Sequence, residues 1–156
     1  MMEQLPLRRA VATDVKAVLS LTRIAYSKWI PLIGREPKPM AADYDRAVAE
    51  HMIDLWEESG ELLALIEMVA AEDHLLIENI AVRPDQQGRG LGAKLLIHAE
   101  GLARSLCIDN VQLYTNAAFT SNFQFYARRG YREFQRVTVA SGSVAVHMTK
   151  RIDGSG

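Results

Sequence analysis

The stretch from Arg83 to Leu96, RPDQQGRGLGAKLL, constrains the fold more than any other part of the chain. Gly88, Gly90 and Gly92 stand on alternate positions, between an apolar strand pattern, HLLIENIAV at 74–82, and an apolar helical pattern that starts inside the glycines. Glycine weakens a helix by about 1 kcal/mol relative to alanine, so its use here needs a reason. A helix start offers several backbone N–H groups without internal partners, together with the positive end of the helix dipole. Such an end binds phosphate well when nothing bulky blocks the backbone. Three missing Cβ atoms clear that approach, and Gln86, Gln87 and Arg89 can add donors at the rim. The unit reads as a strand, an anion seat and a helix. The alternative is a tight turn with close helix–sheet packing, for which a single glycine suffices.

The flanking segments supply further elements. LPLRRAV at 5–11 reads as a first strand, and 12–30 switches to helical spacing, with Val15, Val18, Leu19 and Thr22 on one side. Thr13 or Asp14 can cap that helix, and Pro31 is expected to stop it. PLIGREPKPM at 31–40 is a loop, followed by a short helix at 41–51 with Asp43 near its start. The run at 52–57 is a strand or an extension of that helix. ELLALIEMVA (61–70) and HLLIENIAV (74–82) form a hairpin-like pair across Ala71-Glu72-Asp73. After the glycines, Leu91, Leu95, Leu102 and Leu106 recur at helical spacing, with Leu96, Ala99 and Ala103 alongside. NVQLYT (110–115) is a strand, and 121–130 is a helix capped by Thr120 or Ser121 and stopped by Gly130. The end is a hairpin turned at Ser141-Gly142-Ser143. The order β-α-α-β-β-β-α-β-α-β-β predicts a mixed sheet flanked by helices, in a single domain over 1–156.

Several function classes fall away. Net charge is −1 and no basic run stands out, which argues against charge-driven nucleic-acid binding. Cys107 is the only cysteine, so no intramolecular disulfide exists, and its place beside Leu106 and Ile108 suggests a buried thiol. His51, His74, His98 and His147 lie far apart, in no metal-ligand spacing, and no metal is expected. No signal peptide or membrane-spanning run is apparent, which points to a cytoplasmic protein. Gly88, Gly90 and Ala93 fit the loose dinucleotide pattern G-x-G-x-x-G/A, but five residues separate the strand from the first glycine, and Asp109 precedes its strand instead of ending it. No G-x-x-x-x-G-K-[ST] occurs, so a P-loop nucleotidase is excluded.

LLIENIAVRPDQQGRGLGAKLL resembles motif A of the GNAT superfamily of acetyl-CoA-dependent N-acetyltransferases, [Q/R]-x-x-G-x-[G/A], with Gln87, Gly90 and Gly92 in the matching places. NFQFYARRGY resembles the family's motif B, with Tyr126, Gly130 and Tyr131 in place. The inferred element order is the family's order over nearly the whole chain. The resemblance implies a mixed, mostly antiparallel sheet of about six to seven strands flanked by helices.

It also implies roles for particular residues. Amides of Gly88, Arg89, Gly90, Leu91, Gly92 and Ala93 would hold the pyrophosphate of coenzyme A, with Gln87 and Arg89 at the rim. The edge of Ile80, Ala81 and Val82 would pair with the pantetheine arm, and the Val82 amide would face the thioester carbonyl. Glu78, four residues before Val82, is the candidate base, and Tyr126 the candidate proton donor to the departing thiolate. The family's asparagine seven residues before that tyrosine is replaced by Phe119, with Asn116 and Asn122 as nearby substitutes.

The implied activity is transfer of acetyl from acetyl-CoA to a primary amine of a small molecule or protein, by direct attack. The acceptor wall would fall in 25–45, where Tyr26, Trp29, Met40 and Tyr44 can shape it and Glu36, Asp43 or Asp45 can draw a cation; a solvated loop over the core is the alternative. A non-catalytic acyl-CoA-binding or regulatory module is a second reading, and a nicotinamide oxidoreductase a third. No nucleic-acid or membrane partner is expected. A homodimer through the terminal strands is compatible with the sequence.

Overall fold

Two residues with positive φ, Ser59 (53°) and Gly60 (78°), join strands β2 (Met52–Glu58) and β3 (Glu61–Ala70). Positive φ at both centres of a two-residue turn matches the twist of the strands it joins, so the antiparallel register runs from Glu58↔Glu61 to Met52↔Met68. The run at 52–57 is therefore strand. The structure is a computed structural model in which residues 6–139 and 141–152 are described.

The seven strands form a sheet in the order β1-β2-β3-β4-β5-β7-β6, mixed and mostly antiparallel as expected. The remaining strands are β1 (Leu7–Arg9), β4 (Leu75–Val82), β5 (Asn110–Asn116), β6 (Arg132–Thr138) and β7 (Val144–Arg151). The chain divides into two compact units, with boundaries at Met68/Val69, Glu78/Asn79 and Leu95/Leu96.

In the first unit, helix α1 (Val15–Tyr26) buries Val18, Leu21, Thr22 and Ala25. Val18, Leu21 and Ala25 join a core with Ile53, Leu55, Leu65 and Ala81, against which Val15 and Leu19 are partly buried. β1 is shorter than the sequence pattern, and Leu5 lies outside the described residues. Asp14 sits at the α1 cap position but turns its carboxylate upstream, accepting from the Val11 N–H at 2.8 Å and pairing with Arg8 at 2.7 Å. Pro31 does not stop α1. The chain tightens into a 3-10 turn at Ser27–Trp29, and Pro31 lies in the short helix α2 (Ile30–Ile33), where a first-turn residue needs no N–H. Gly34, at φ 72°, ends it. Helix α3 (Tyr44–Glu50) is capped by Asp43, whose carboxylate accepts from the Arg46 N–H at 3.2 Å.

In the second unit, β4 runs parallel to β5 over three partners only, Leu75↔Val111, Leu76↔Gln112 and Ile77↔Leu113. β5 continues antiparallel to β7 from Asn110↔Arg151 to Asn116↔Ala145, and β7 to the edge strand β6. Helix α4 (Leu91–Ser105) buries Ala99, Glu100 and Ala103 in this unit, while Leu106 falls just past its end and is exposed. Glu100 accepts from the Tyr131 hydroxyl at 3.0 Å and from Lys150 Nζ at 3.1 Å, a satisfied buried ionic cluster. Cys107 is exposed, contrary to the sequence reading. It takes the left-handed position (φ 60°) that ends α4: Cys107 N–H donates to Arg104 O and Ile108 N–H to Ala103 O. Helix α5 (Thr120–Arg128) has Phe119 at its cap position, so neither Thr120 nor Ser121 caps it; Gly130 at φ 94° ends it as expected. The final turn closes with Val139 N–H on Ser143 O at 2.9 Å. Among the described residues, no helix is long and apolar enough to cross a membrane.

Candidate active site

The site residues of the first unit lie in one continuous run. The Arg83 N–H donates to Leu63 O on β3 at 2.8 Å. Backbone groups of successive strand residues alternate between edges, so Ile80 and Val82 turn theirs to the edge away from β3. On that edge the Ile80 carbonyl lies 3.1 Å from the Tyr26 hydroxyl, and the Val82 carbonyl accepts from Gln87 Nε2 at 3.3 Å. Both carbonyls are thus held by side chains. Tyr26 also stands 2.7 Å from Asn79 Oδ1, and Asn79 Nδ2 donates toward Thr22 and Tyr44. Asn79 and Thr22 are buried, so this network fixes the end of β4 to α1 and α3.

A 3-10 turn at Pro84–Gln86 then leads into the glycines. Gly88 (φ 91°) and Gly90 (φ 81°) occupy the left-handed region, and a Cβ built on either meets open space. Their first requirement is therefore conformational, and the space above them is open as well. The first helical hydrogen bond of α4 runs from Lys94 N–H to Gly90 O, leaving Leu91, Gly92 and Ala93 in the turn whose amides have no partner within the helix. Arg89 contacts Gln86 and pairs with Glu58 at 3.2 Å, Lys28 Nζ donates to Gln87 Oε1 at 3.3 Å, and Lys94 stands over the Trp56 ring. The Trp56 indole N–H and then Arg89 hold the Glu58 carboxyl below the usual carboxylate range. Cations thus flank the helix start, with Gln87 stretched between Lys28 and Val82.

The acceptor-wall residues divide. Tyr26 and Trp29 are half-buried, whereas Met40 and Tyr44 are core residues at 3% exposure. Tyr44 donates to Pro39 O at 2.7 Å, Glu36 is ion-paired with Arg23 at 2.6 Å, and Asp43 is engaged as the α3 cap. Asp45 is exposed. Met40 is withdrawn into the core because its 3-10 turn packs against α1, and Tyr44 because it opens α3, which also packs against α1.

In the second unit, Glu78 accepts from the Tyr114 hydroxyl at 2.6 Å, one residue past the end of the β4–β5 ladder. Tyr114 is paired with His147 across β5–β7, their rings 5.6 Å apart, and the Phe134 ring is 6.2 Å from that of His147. Tyr126 is half-buried on α5, against Phe125 and Tyr131, and burial pushes its phenol up to about 12. Asn116 Oδ1 accepts from the Ala118 N–H at 2.9 Å, closing the turn after β5, and Asn122 is half-buried on α5. Phe119 is buried at the start of α5, an apolar anchor where the family's pattern has asparagine.

Sequence reasoning missed Asn79, Tyr114, His147 and Phe134. A lone amide inside the apolar strand LLIENIAV was a visible signal for Asn79; the aromatic row depends on strand register, which spacing does not show. Among the described residues, no group of three or more His, Cys, Asp or Glu could hold a metal ion.

A strand ending in a glycine turn at the start of a helix, within this strand order, defines an acyltransferase type of fold. The profile of the Acetyltransferase (GNAT) family matches residues 18–131, and the chain belongs to that family of acetyltransferases. Solved structures share the fold at low identity. The PaiA N-acetyltransferase of Thermoplasma acidophilum, in complex with coenzyme A, superposes with a TM-score of 0.77 at 14% identity, covering 96% of this chain and 99% of that one. A GCN5-related N-acetyltransferase of Rhodopseudomonas palustris gives 0.76 at 20%, covering 97% and 99%. A GNAT family acetyltransferase of Elizabethkingia anophelis with acetyl-CoA bound gives 0.70 at 15%, covering 94% and 97%. No curated protein sequence matches the chain.

Proposed function

We propose that the protein moves acetyl from acetyl-CoA to a primary amine by direct attack in a ternary complex. The observation that carries this reading is the edge of β4 at Ile80 and Val82, whose carbonyls accept from the Tyr26 and Gln87 side chains, leading directly into the Gly88–Ala93 helix start. Pantetheine amides would replace Gln87 on the Val82 carbonyl, and the amides from Gly88 to Ala93 would receive the pyrophosphate, with Arg89 and Lys28 adding charge. Gln87 then acts as a placeholder on the β4 edge. The Val82 amide is the candidate donor to the developing oxyanion.

In the reaction the amine nitrogen bonds to the thioester carbon, the C–S bond breaks with its electron pair on sulfur, and one N–H proton leaves. An alkyl ammonium with pKa of about 10.4 costs roughly 4–5 kcal/mol to deprotonate at pH 7, so a base is useful. Glu78 fills that role directly or through water; Tyr114 occupies Oε1, and an ionised carboxylate accepts on both oxygens. Tyr126 attends the sulfur. Burial pushes the phenol up to about 12, above the range of an ordinary thiol, so complete proton transfer to the thiolate runs uphill. Tyr126 therefore stabilises the thiolate by donating a hydrogen bond, and solvent completes the protonation. Proximity of the bound reactants supplies about 7–11 kcal/mol of the barrier.

The test is calorimetric titration with acetyl-CoA, with NAD as control, followed by thiol release in the presence of amines. Binding of acetyl-CoA alone and amine-dependent thiol release are expected. Binding without release for any amine would favour the acyl-CoA-binding module, and no binding would remove the cofactor site.

A further inference from the structure

We infer that the acceptor is an amine carried on a flat aromatic body, held by the row Tyr114–His147–Phe134 with its nitrogen at Glu78. This rests on the acetyl-transfer reading above and names its substrate class. Three rings on three neighbouring strands follow one another at centroid distances of 5.6 and 6.2 Å, and the first of them donates its hydroxyl to Glu78. Tyr114 and His147 are half-buried and Phe134 is 48% exposed, so the row is open to solvent along one side. Val137, paired with half-buried Ala145, extends the apolar surface beside it.

The chemistry at the two ends differs. A carboxylate at one end attracts an ammonium group, while the rings offer π faces and edges to an aromatic body. A polyamine would need repeated acceptors at the spacing of its cations; beyond Glu78 the row is aromatic, and the β6 carboxylate, Glu133, is already held by Arg136 at 2.7 Å. Strand addition by another protein is disfavoured at β6, which carries a bulge between Glu133 and Gln135 and the charges of Arg132, Glu133 and Arg136. The surface therefore suits a monoamine carried on an aromatic ring, the ring contact adding about three- to tenfold in affinity beyond its apolar area.

The experiment compares 2-phenylethylamine, 2-cyclohexylethylamine, n-propylamine and spermidine by thiol release, using the full chain with saturating acetyl-CoA. The expected order places 2-phenylethylamine about tenfold or more above n-propylamine in kcat/KM, and above its cyclohexyl analogue. Phe134→Ala should raise KM for 2-phenylethylamine about fivefold or more, with kcat little changed, and Phe134→Tyr should restore it. Preference for spermidine or n-propylamine, or a Phe134→Ala variant with unchanged KM, overturns the inference. Independently of turnover, 2-phenylethylamine should move the His147 ring-proton resonances, identified with His147→Gln, while n-propylamine should not; unmoved resonances overturn the inference even if no amine is acetylated. Absence of acetyl-CoA binding in a titration sinks the underlying reading instead, and so separates the two failures. A dimer that dissociates on Phe134→Ala in sedimentation would make the row a self-interface and reject the acceptor assignment.

Discussion

The Tyr26 hydroxyl stands 2.7 Å from Asn79 Oδ1 and 3.1 Å from the Ile80 carbonyl, tying the end of α1 to the β4 edge. Its single proton serves chiefly the shorter contact, and Asn79 is 3% exposed. Tyr26→Phe leaves a buried amide oxygen short of a donor, which costs about 1–3 kcal/mol. At roughly 2–4 °C per kcal/mol for a chain of this size, Tm should fall by about 2–12 °C. Acetyl-CoA affinity should weaken as well, because Asn79, next to Ile80 on the β4 edge, loses the hydroxyl that orders it; calorimetry on the variant checks the second effect, and an unchanged Tm rejects the first.

The glycine turn permits a separation of strain from occlusion. Gly90 has φ 81° and open space at its Cβ position. A β-branched residue there suffers left-handed strain of about 1–2 kcal/mol, whereas asparagine tolerates the conformation. Gly90→Asn should therefore unfold within about 1 kcal/mol of the parent while binding acetyl-CoA about tenfold or more weakly. Gly90→Val should lose both stability and binding. If Gly90→Asn binds as the parent does, the phosphate does not sit on these amides.

Strand–turn–helix order, the helix start and the ends of most elements were legible because they depend on local spacing and on glycine and proline chemistry. What stayed hidden depends on pairing between distant residues. Nothing around Tyr114 announces that it meets Glu78, since that contact needs the β4–β5 register. Pro31 misled because proline ends helices only beyond their first turn, and here a 3-10 turn had already restarted the count. Cys107 misled for a related reason: its apolar neighbours suggested burial, but the residue that reverses the chain at a helix end faces outward.

That position carries its own prediction. Cys107 pays for a left-handed φ of 60° that glycine adopts without strain, and its exposed thiol makes little packing contact to lose. Cys107→Gly should raise stability by about 0.5–1 kcal/mol, read as a Tm increase of about 1–4 °C in thermal unfolding. A lower Tm would mean that the side chain packs more than its exposure indicates.

Acid should act through Asp14. The Arg8 guanidinium, paired at 2.7 Å, is the main reason its carboxyl is lowered to about 2, helped by the Val11 N–H. A depressed folded pKa gives stability that is fully present above the unfolded value near 3.8 and is lost as pH falls through about 2. Arg8 is 44% exposed, so solvent screening holds the contribution to about 1 kcal/mol or less. Asp14→Asn should lower Tm modestly at pH 7, and the gap to the parent should close between about pH 4 and pH 2. A gap that persists at pH 2 would assign the loss to packing.

Tyr126 sets the strictest test of the chemistry. Burial raises its phenol to about 12, so it stays protonated through the working pH range and cannot produce a basic limb near pH 10. A residue that acts only on the departing sulfur contributes to the transition state and little to the bound ground state. Tyr126→Phe should therefore lower kcat by about tenfold to a hundredfold, the effect of one hydrogen bond to a charged group, while the KM for acetyl-CoA stays within about twofold. The parent kcat should hold flat up to about pH 10 as far as this residue is concerned. Equal losses in kcat and acetyl-CoA affinity would make Tyr126 a wall of the cofactor site. An unchanged kcat would mean that the thiolate needs no hydrogen bond from Tyr126 and would remove the residue from the mechanism.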